Sequence, residues 1–245
     1  CDFTPRLHKK ILEAQEYIKQ QKYSKAIAGY QEILKNNPPS DIKVKINYQL
    51  GELFSINLGK NREAIKYYDD IKNLTESPLW LVKSEERIAE ISFTYLKDYK
   101  LSEKSYKLLV NFTPRLEKFD FYQFRLAQTY IKSNRYNHAL KELLSIQKVK
   151  SHKYYIESYF QVGLLYFQKK ENAEAIKNWK EYLKRETRKS HLVQTRFLMA
   201  NAYESMEKLK QAYNLYYSIL GEYPNTEVIQ NRLNSIFNRR VSRKR

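Results

Sequence analysis

The sequence predicts an all-α chain, a solenoid of about six stacked helical hairpins closed by a C-terminal capping helix. Three observations predict it. One residue pattern recurs six times at near-constant spacing, and each copy is preceded by a second pattern with helical spacing of its own. With only 5 Gly and 6 Pro in 245 residues, folds that need many tight turns are disfavoured. The chain is 42% hydrophobic and 14% aromatic, enough to build a core. No stretch of about 18 uncharged apolar residues is present, so no transmembrane helix is expected.

The recurring pattern starts with Ala26, Tyr30 and Ile33, with Pro38 five residues on. It returns as Ala64, Tyr68 and Ile71; as Ser102, Tyr106 and Leu109 with Pro114; and as Ala139, Leu143 and Ile146. Ala175, Trp179 and Tyr182 follow, then Ala212, Tyr216 and Ile219 with Pro224. The first members are separated by 38, 38, 37, 36 and 37 residues. Upstream of each copy, a small residue precedes an aromatic by three: Ala14 and Tyr17, Gly51 and Phe54, Ala127 and Tyr130, Gly163 and Tyr166, Ala200 and Tyr203. In the third copy Ala89 precedes Phe93 by four. Spacings of three and four put each pair on one helical face. The small residue lets a neighbouring helix approach, so each copy predicts two antiparallel helices, and one such hairpin cannot bury its apolar face alone.

Thr4-Pro5, Ser77-Pro78 and Thr113-Pro114 each read as an N-cap followed by proline at the first helical position. Asn225, Thr226 and Glu227 open a last segment in which Val228, Leu233, Ile236 and Phe237 are expected to cover the end of the stack. The string Phe3 to Leu7 reappears as Phe112 to Leu116, which reads either as two similar helix starts or as duplication of a three-hairpin unit.

Leu50-Gly51, Leu126-Ala127 before Tyr130, and Val162-Gly163 before Tyr166, each followed by a second-helix Ala, aromatic and apolar residue, resemble the tetratricopeptide repeat. The resemblance implies a right-handed solenoid with repeats at about 7–40, 44–77, 82–117, 120–153, 156–190 and 193–226. Residues 1–6 would form a linker, and 227–245 a capping helix with a basic tail. The sequence departs from the family in lacking the usual early Trp, in Ser102, and in steps longer than the customary 34 residues.

The 45 Lys and Arg outnumber the 27 Asp and Glu, giving a net charge of +18. The basic residues are spread over every repeat, as on solvated helix faces, and no single stripe suggests nucleic acid. The exception is Arg239, Arg240, Arg243, Lys244 and Arg245, which suits an anionic lipid surface, an acidic partner or a disordered tail. No glycine-rich phosphate loop, paired-His metal motif or nucleophile turn is found. The adjacent carboxylates Glu85-Glu86 and Asp69-Asp70 should point apart into solvent, and His138 should sit on a helix rim. No enzyme activity, cofactor, metal or small-molecule substrate is therefore expected.

In the tetratricopeptide family a concave groove is lined by first-helix residues three before and one after the small residue. Carried over, these are Tyr48, Phe124, Phe160 and Phe197, then Glu52, Gln128, Leu164 and Asn201, with Ile131 and Phe167 one turn on. This aromatic row either receives an apolar peptide or helix, or fills the gap between neighbouring first helices as core. Phe160, Leu164 and Phe167 share one stripe and make the best patch. The family's clamp for a C-terminal carboxylate is not reproduced, since Asn201 is followed one turn later by Ser205.

Cys1, the only cysteine, begins a short polar stretch and resembles the lipidated first residue of a mature bacterial lipoprotein whose signal peptide has been cut. Asp2 would by analogy favour the inner membrane, with the outer membrane still open. Together these features are similar in architecture to the BamD lipoproteins of outer-membrane protein assembly. The expectation is a non-enzymatic, periplasm-facing scaffold, membrane-anchored by palmitate-type acylation, for outer-membrane assembly, motility or secretion. The alternative is a cytoplasmic basic repeat module that binds nucleic acid or an acidic protein.

Overall fold

The structure is a computed structural model that describes residues 4–242, and the described residues form thirteen α-helices and no strand. The chain divides into two compact units, Cys1–Asn134 and Arg135–Arg245. The first holds α1 (Thr4–Lys19), α2 (Tyr23–Lys35), α3 (Ser40–Glu52), α4 (Asn61–Asp70), α5 (Pro78–Ile91), α6 (Tyr99–Val110) and α7 (Phe119–Lys132). The second holds α8 (Tyr136–Gln147), α9 (Tyr155–Gln168), α10 (Asn172–Leu183), α11 (Lys189–Ser205), α12 (Leu209–Ser218) and α13 (Thr226–Ser242). Within each unit consecutive helices pack on one another, so each is a stack of helical hairpins.

The periodic residues are the core. In the first unit Ala26, Tyr30, Ile33, Ala64, Tyr68, Ile71, Ser102, Tyr106 and Leu109 are at most 1% exposed. The same holds in the second for Ala139, Leu143, Ile146, Ala175, Trp179, Tyr182, Ala212, Tyr216 and Ile219. Ser102, the one polar substitute, is accommodated by a hydrogen bond. Thr129 donates to the Arg125 carbonyl at 2.8 Å, so the Ser102 hydroxyl donates to Thr129 Oγ1 at 3.1 Å. The small first-helix residues are equally buried, with Ala14 at 2% and Ala89, Ala127 and Ala200 at 0%. Two of them are glycine for want of room. A Cβ at Gly51 would lie 2.6 Å from the Tyr68 ring, and one at Gly163 2.5 Å from Cδ1 of Trp179.

A second period lies in the backbone. Gln21, Gly59, Lys97, Asn134, Lys170 and Glu207 all have positive φ, between 53° and 64°. Each sits five residues before the first member of a core triad (Ala26, Ala64, Ser102, Ala139, Ala175, Ala212), in the turn from first to second helix. Only Gly59 is glycine there, although a left-handed residue with a Cβ costs roughly 1–2 kcal/mol. The lengthened steps have local causes. In α3 and α5 the helix passes into a π-turn, at Leu53–Asn57 and Ser92–Leu96, and each such turn inserts a residue. The linker 111–118 adds more.

Several sequence expectations are corrected. Thr113-Pro114 starts no helix: it lies in the linker with a cis peptide bond, and α7 begins only at Phe119. The linker is tied to that start by Arg115, 3.9 Å from the Phe119 ring centroid and 2.9 Å from Asp120. Ser77 does precede Pro78 at the start of α5, but its side chain makes no cap bond; its N–H donates to Thr75 Oγ1 at 3.0 Å. The helix α13 buries Ile229, Leu233 and Ile236, while Val228 and Phe237 are 37% and 56% exposed. Leu233 and Ile236 are thus buried as expected, while Ile229 takes the place expected of Val228 and Phe237 stays outside the face. Glu85 and Glu86 point apart but neither simply faces solvent. Glu85 is 6% exposed and pairs with Lys72, and Glu86 accepts from Tyr122 and, at 3.0 Å, from Lys118.

Steric room and backbone conformation act with opposite signs on glycine. Gly163→Ala is expected to lower the urea-unfolding free energy by about 1–3 kcal/mol through forced displacement of Trp179, whereas Gly221→Ala, which meets no atom within 4 Å, leaves it unchanged. Lys170→Gly is expected to raise the same free energy by about 0.5–1 kcal/mol, left-handed relief exceeding the added unfolded-state entropy.

Candidate partner-binding wall

In the first unit the wall is built on α3, α5 and α7. Tyr48 packs edge-on against Tyr68 and Trp80, each at 5.5 Å between ring centroids. Glu52 accepts from the Tyr68 hydroxyl and, at 2.6 Å, from Arg87 Nε of α5; Arg87 also reaches Glu90 at 3.2 Å. Burial, and then the Glu52 carboxylate, push the Tyr68 hydroxyl well above its usual range. Burial opposes the charge of Arg87, but its hydrogen bond to Glu52 outweighs that and holds the guanidinium even more firmly protonated. One step along, Glu86 joins α5 to Tyr122 and Lys118. Arg125 of α7 lies 4.3 Å over Phe93 and 5.5 Å over Phe121, and donates to Gln128 at 3.3 Å. Ile131 is half-buried nearby in the chain. Phe124 is only 6% exposed, which corrects its expected place in the groove. Helix α7 is buried over a wide arc that includes Tyr122, Leu126, Ala127, Thr129 and Tyr130, and Phe124 falls inside it.

The second unit presents a different wall. Phe160 of α9 lies 5.2 Å from Tyr182, and Phe167 lies 5.6 Å from Trp179. With Leu164 they are half-buried against a core cluster that joins Ala175, Ile176 and Trp179 of α10 to Met199 and Ala202 of α11. Phe197 stacks on Tyr223 at 4.5 Å, and Asn201 accepts from the Tyr216 hydroxyl, which also donates to Glu204 at 3.1 Å. The turn from α10 to α11 is gathered by Glu186. Its carboxylate takes the Tyr182 hydroxyl at 2.6 Å, Arg188 at 2.6 and 2.9 Å, and the backbone N–H groups of Thr187 and Arg188. The Arg188 guanidinium foremost holds it well below the usual carboxylate range.

Of the basic tail, Arg239 and Arg240 belong to α13. Arg239 pairs with Glu204 at 3.0 Å and Glu207 at 2.5 Å, and Arg240 lies 5.9 Å over Tyr213, so neither is part of a free tail. Arg243, Lys244, Arg245 and Cys1 lie outside the described residues. Among the described residues no group of three or more His, Cys, Asp and Glu is placed to hold a metal ion, and no helix is long and apolar enough to cross a membrane. Sequence reasoning missed Glu86, Glu90, Arg87, Tyr122 and Arg125. The first two stand three before and one after Ala89, so the frame of the blurred third copy marks them.

Family models of the tetratricopeptide repeat match residues 44–77, 156–186 and 194–226. The chain carries tetratricopeptide repeats. No curated protein matches its sequence. Among solved structures, it is similar to a chain of the Naa15/Naa10 complex bound to HypK-THB, with 19% identity and a TM-score of 0.70. That match covers 93% of this chain but 33% of the other, so the chain spans about a third of its length. YrrB, a TPR protein with an unusual peptide-binding site, is 13% identical over 82% of this chain and 96% of its own, with a TM-score of 0.57. PilW, a type IV pilus biogenesis factor, is 13% identical over 94% of this chain and 98% of its own, with a TM-score of 0.55. At such identities the likeness shows the fold.

In tetratricopeptide terms, nine of the ten groove residues named from the sequence (all but Phe124) are half-buried. The rings of Phe160 and Phe167 are drawn onto second-helix rings, so they hold the repeat together as well as facing outward. The double variant Phe160→Ala, Phe167→Ala should lose roughly 1–3 kcal/mol per site in urea unfolding, below the ~3–5 kcal/mol of a fully buried Phe. An unchanged midpoint would show that both rings stand free.

Proposed function

We propose that this tetratricopeptide chain is a non-enzymatic scaffold that holds a segment of a partner protein against its first-helix walls. The observation that carries the reading is two sets of wall residues: Tyr48, Glu52, Gln128 and Ile131 in the first unit, and Phe160, Leu164, Phe167, Phe197 and Asn201 in the second. Each is fixed on a helix whose other side is core, and each keeps part of its surface open. Residues so held are preorganised, and binding on them costs little ordering entropy. We further propose that the chain is anchored through a lipid on Cys1 to the bacterial envelope, facing the periplasm, and that it serves the assembly of a membrane-associated complex. The fold shared with the pilus biogenesis factor PilW supports a pilus or related motility or secretion machine over outer-membrane protein assembly.

Two measurements test the two parts separately. A photo-crosslinking amino acid placed in turn at Tyr48, Gln128 and Leu164 should trap one and the same partner in envelope extracts, while placement at the exposed second-helix residues Lys66 and Lys104 should not. Equal trapping at Lys66 and Lys104, or capture of nucleic acid at the wall positions, overturns the scaffold reading. A radioactive fatty acid should label the native protein and not Cys1→Ala; an unlabelled native protein removes the anchor and leaves the scaffold untouched.

A further inference from the structure

Away from the first-helix walls, the second unit contains a cleft of about 340 Å³ along α10. One wall is the α10 stripe Ala173, Ile176, Lys177, Lys180 and Glu181 with the C-cap Lys184, eleven helical steps from end to end and so roughly 16 Å. The other is formed by Tyr203 and Met206 at the end of α11 and by Lys208 in the corner before α12. The floor is apolar: Ile176 is 5% exposed, and Tyr203 and Met206 are half-buried. The rim is cationic. Lys177 has Glu174 at 3.7 Å, and Lys184 has Glu181 at 2.5 Å. Glu181 is already shared with Arg185 at 2.8 Å, and Lys184 and then Arg185 hold its carboxyl below the usual carboxylate range. Lys180 and Lys208 pair with no carboxylate among the described residues. Four ammonium groups thus surround a greasy floor with one carboxylate that is itself neutralised.

We propose that this cleft is a second docking site, independent of the first-helix walls, for an acidic peptide segment with apolar anchors. The apolar residues of such a segment would cover Ile176, Tyr203 and Met206 while its carboxylates meet Lys180, Lys208 and, one turn either way, Lys177 and Lys184. Both features are needed to choose this occupant. A phosphate backbone would satisfy the lysines but leave the floor against water, and a neutral apolar peptide would leave the ammonium groups without partners.

The test uses the full chain and a fluorescent nonapeptide of three Glu-Glu-Leu units, read by anisotropy at two salt concentrations. The expected result is saturable, salt-sensitive binding that weakens at least tenfold in Lys180→Glu, Lys208→Glu. Because the chain carries an excess of 18 positive charges, Lys66→Glu, Lys104→Glu serves as a reversal of equal size elsewhere and should leave the affinity within twofold. Peptides of Gln-Gln-Leu and Glu-Glu-Ser should each bind at least tenfold more weakly. Retained melting temperatures in both double variants show that the loss is not unfolding. Equal weakening by the two reversals, equal binding of the Ser peptide, or a nine-nucleotide oligothymidine bound as tightly with the same lysine dependence would overturn the proposal.

Discussion

One steric constraint governs the rest: how closely the two helices of a hairpin approach at a single level. On the first helix that level is occupied by Ala or Gly, and in the hairpin of α9 and α10 the indole of Trp179 fills the space a methyl at Gly163 would need. In the hairpin of α3 and α4 the Tyr68 ring does the same against Gly51. Inserting a ring has a second effect, because the far end of the ring emerges on the first helix. The hydroxyls of Tyr68 and Tyr216 arrive one residue past the small residue, at Glu52 and Asn201. Trp179, whose donor is set within the ring, reaches only the Phe160 carbonyl, at 3.3 Å. A buried donor needs an acceptor, and in these two hairpins the wall residue beside the core Tyr supplies it.

Two walls of unlike chemistry follow. Where the core aromatic is Tyr68, the wall residue is a carboxylate, and that carboxylate recruits Arg87 from the next first helix. Glu86 makes a different link, from α5 to Tyr122 on the next first helix and to Lys118 before it. Solvent-facing ion pairs contribute about 0–1 kcal/mol each, so this wall gains register more than stability. Where the core aromatic is Trp179, no carboxylate is required, and the wall stripe Phe160, Leu164 and Phe167 is free to be apolar. Its packing rests on area removed from water, at roughly 25 cal/mol per Å², and so responds to salt far less than the first wall.

The fold was legible because the core depends on a period, and a period survives substitution. Ser102 for Ala and Trp179 for Tyr changed the chemistry at two positions without moving the frame. What failed was local reading without a period behind it. Thr113-Pro114 carries a helix-start signature, yet the chain there is linker: capping preference is worth only ~1 kcal/mol, and Arg115 folds the segment onto the start of α7 at Phe119 and Asp120. In α13 Leu233 and Ile236 were read correctly but Val228 and Phe237 were not, because a single helix offers no neighbouring copy to check its edges. Phe124 followed the family rule but fell inside a helix buried on too broad an arc. The left-handed turn residues were invisible for another reason: five of the six are Gln, Lys, Asn or Glu, with no glycine to mark them. Tertiary packing over-determines that conformation, and its regularity shows only in the backbone angles.

The same distinction between chemistry and position applies to the charge. A surplus of 18 cations reads, as composition, like affinity for any polyanion. Resolved residue by residue, many of these cations already have work to do. Arg125 lies over Phe93 and Phe121, Arg185 over Tyr155 and Tyr159, and Arg240 over Tyr213. Arg87, Arg188 and Arg239 are held by Glu52, Glu186 and Glu204. Arginine suits these places because its planar, weakly hydrated guanidinium can stack and bond bidentately at once. Lysine is a strongly hydrated point charge and is left for the outer faces, where screening within about 8–10 Å makes each one a local matter. Net charge therefore says little about this molecule's partners, and what sets Lys180 and Lys208 apart from the other unpaired lysines is the apolar floor of Ile176, Tyr203 and Met206 beside them.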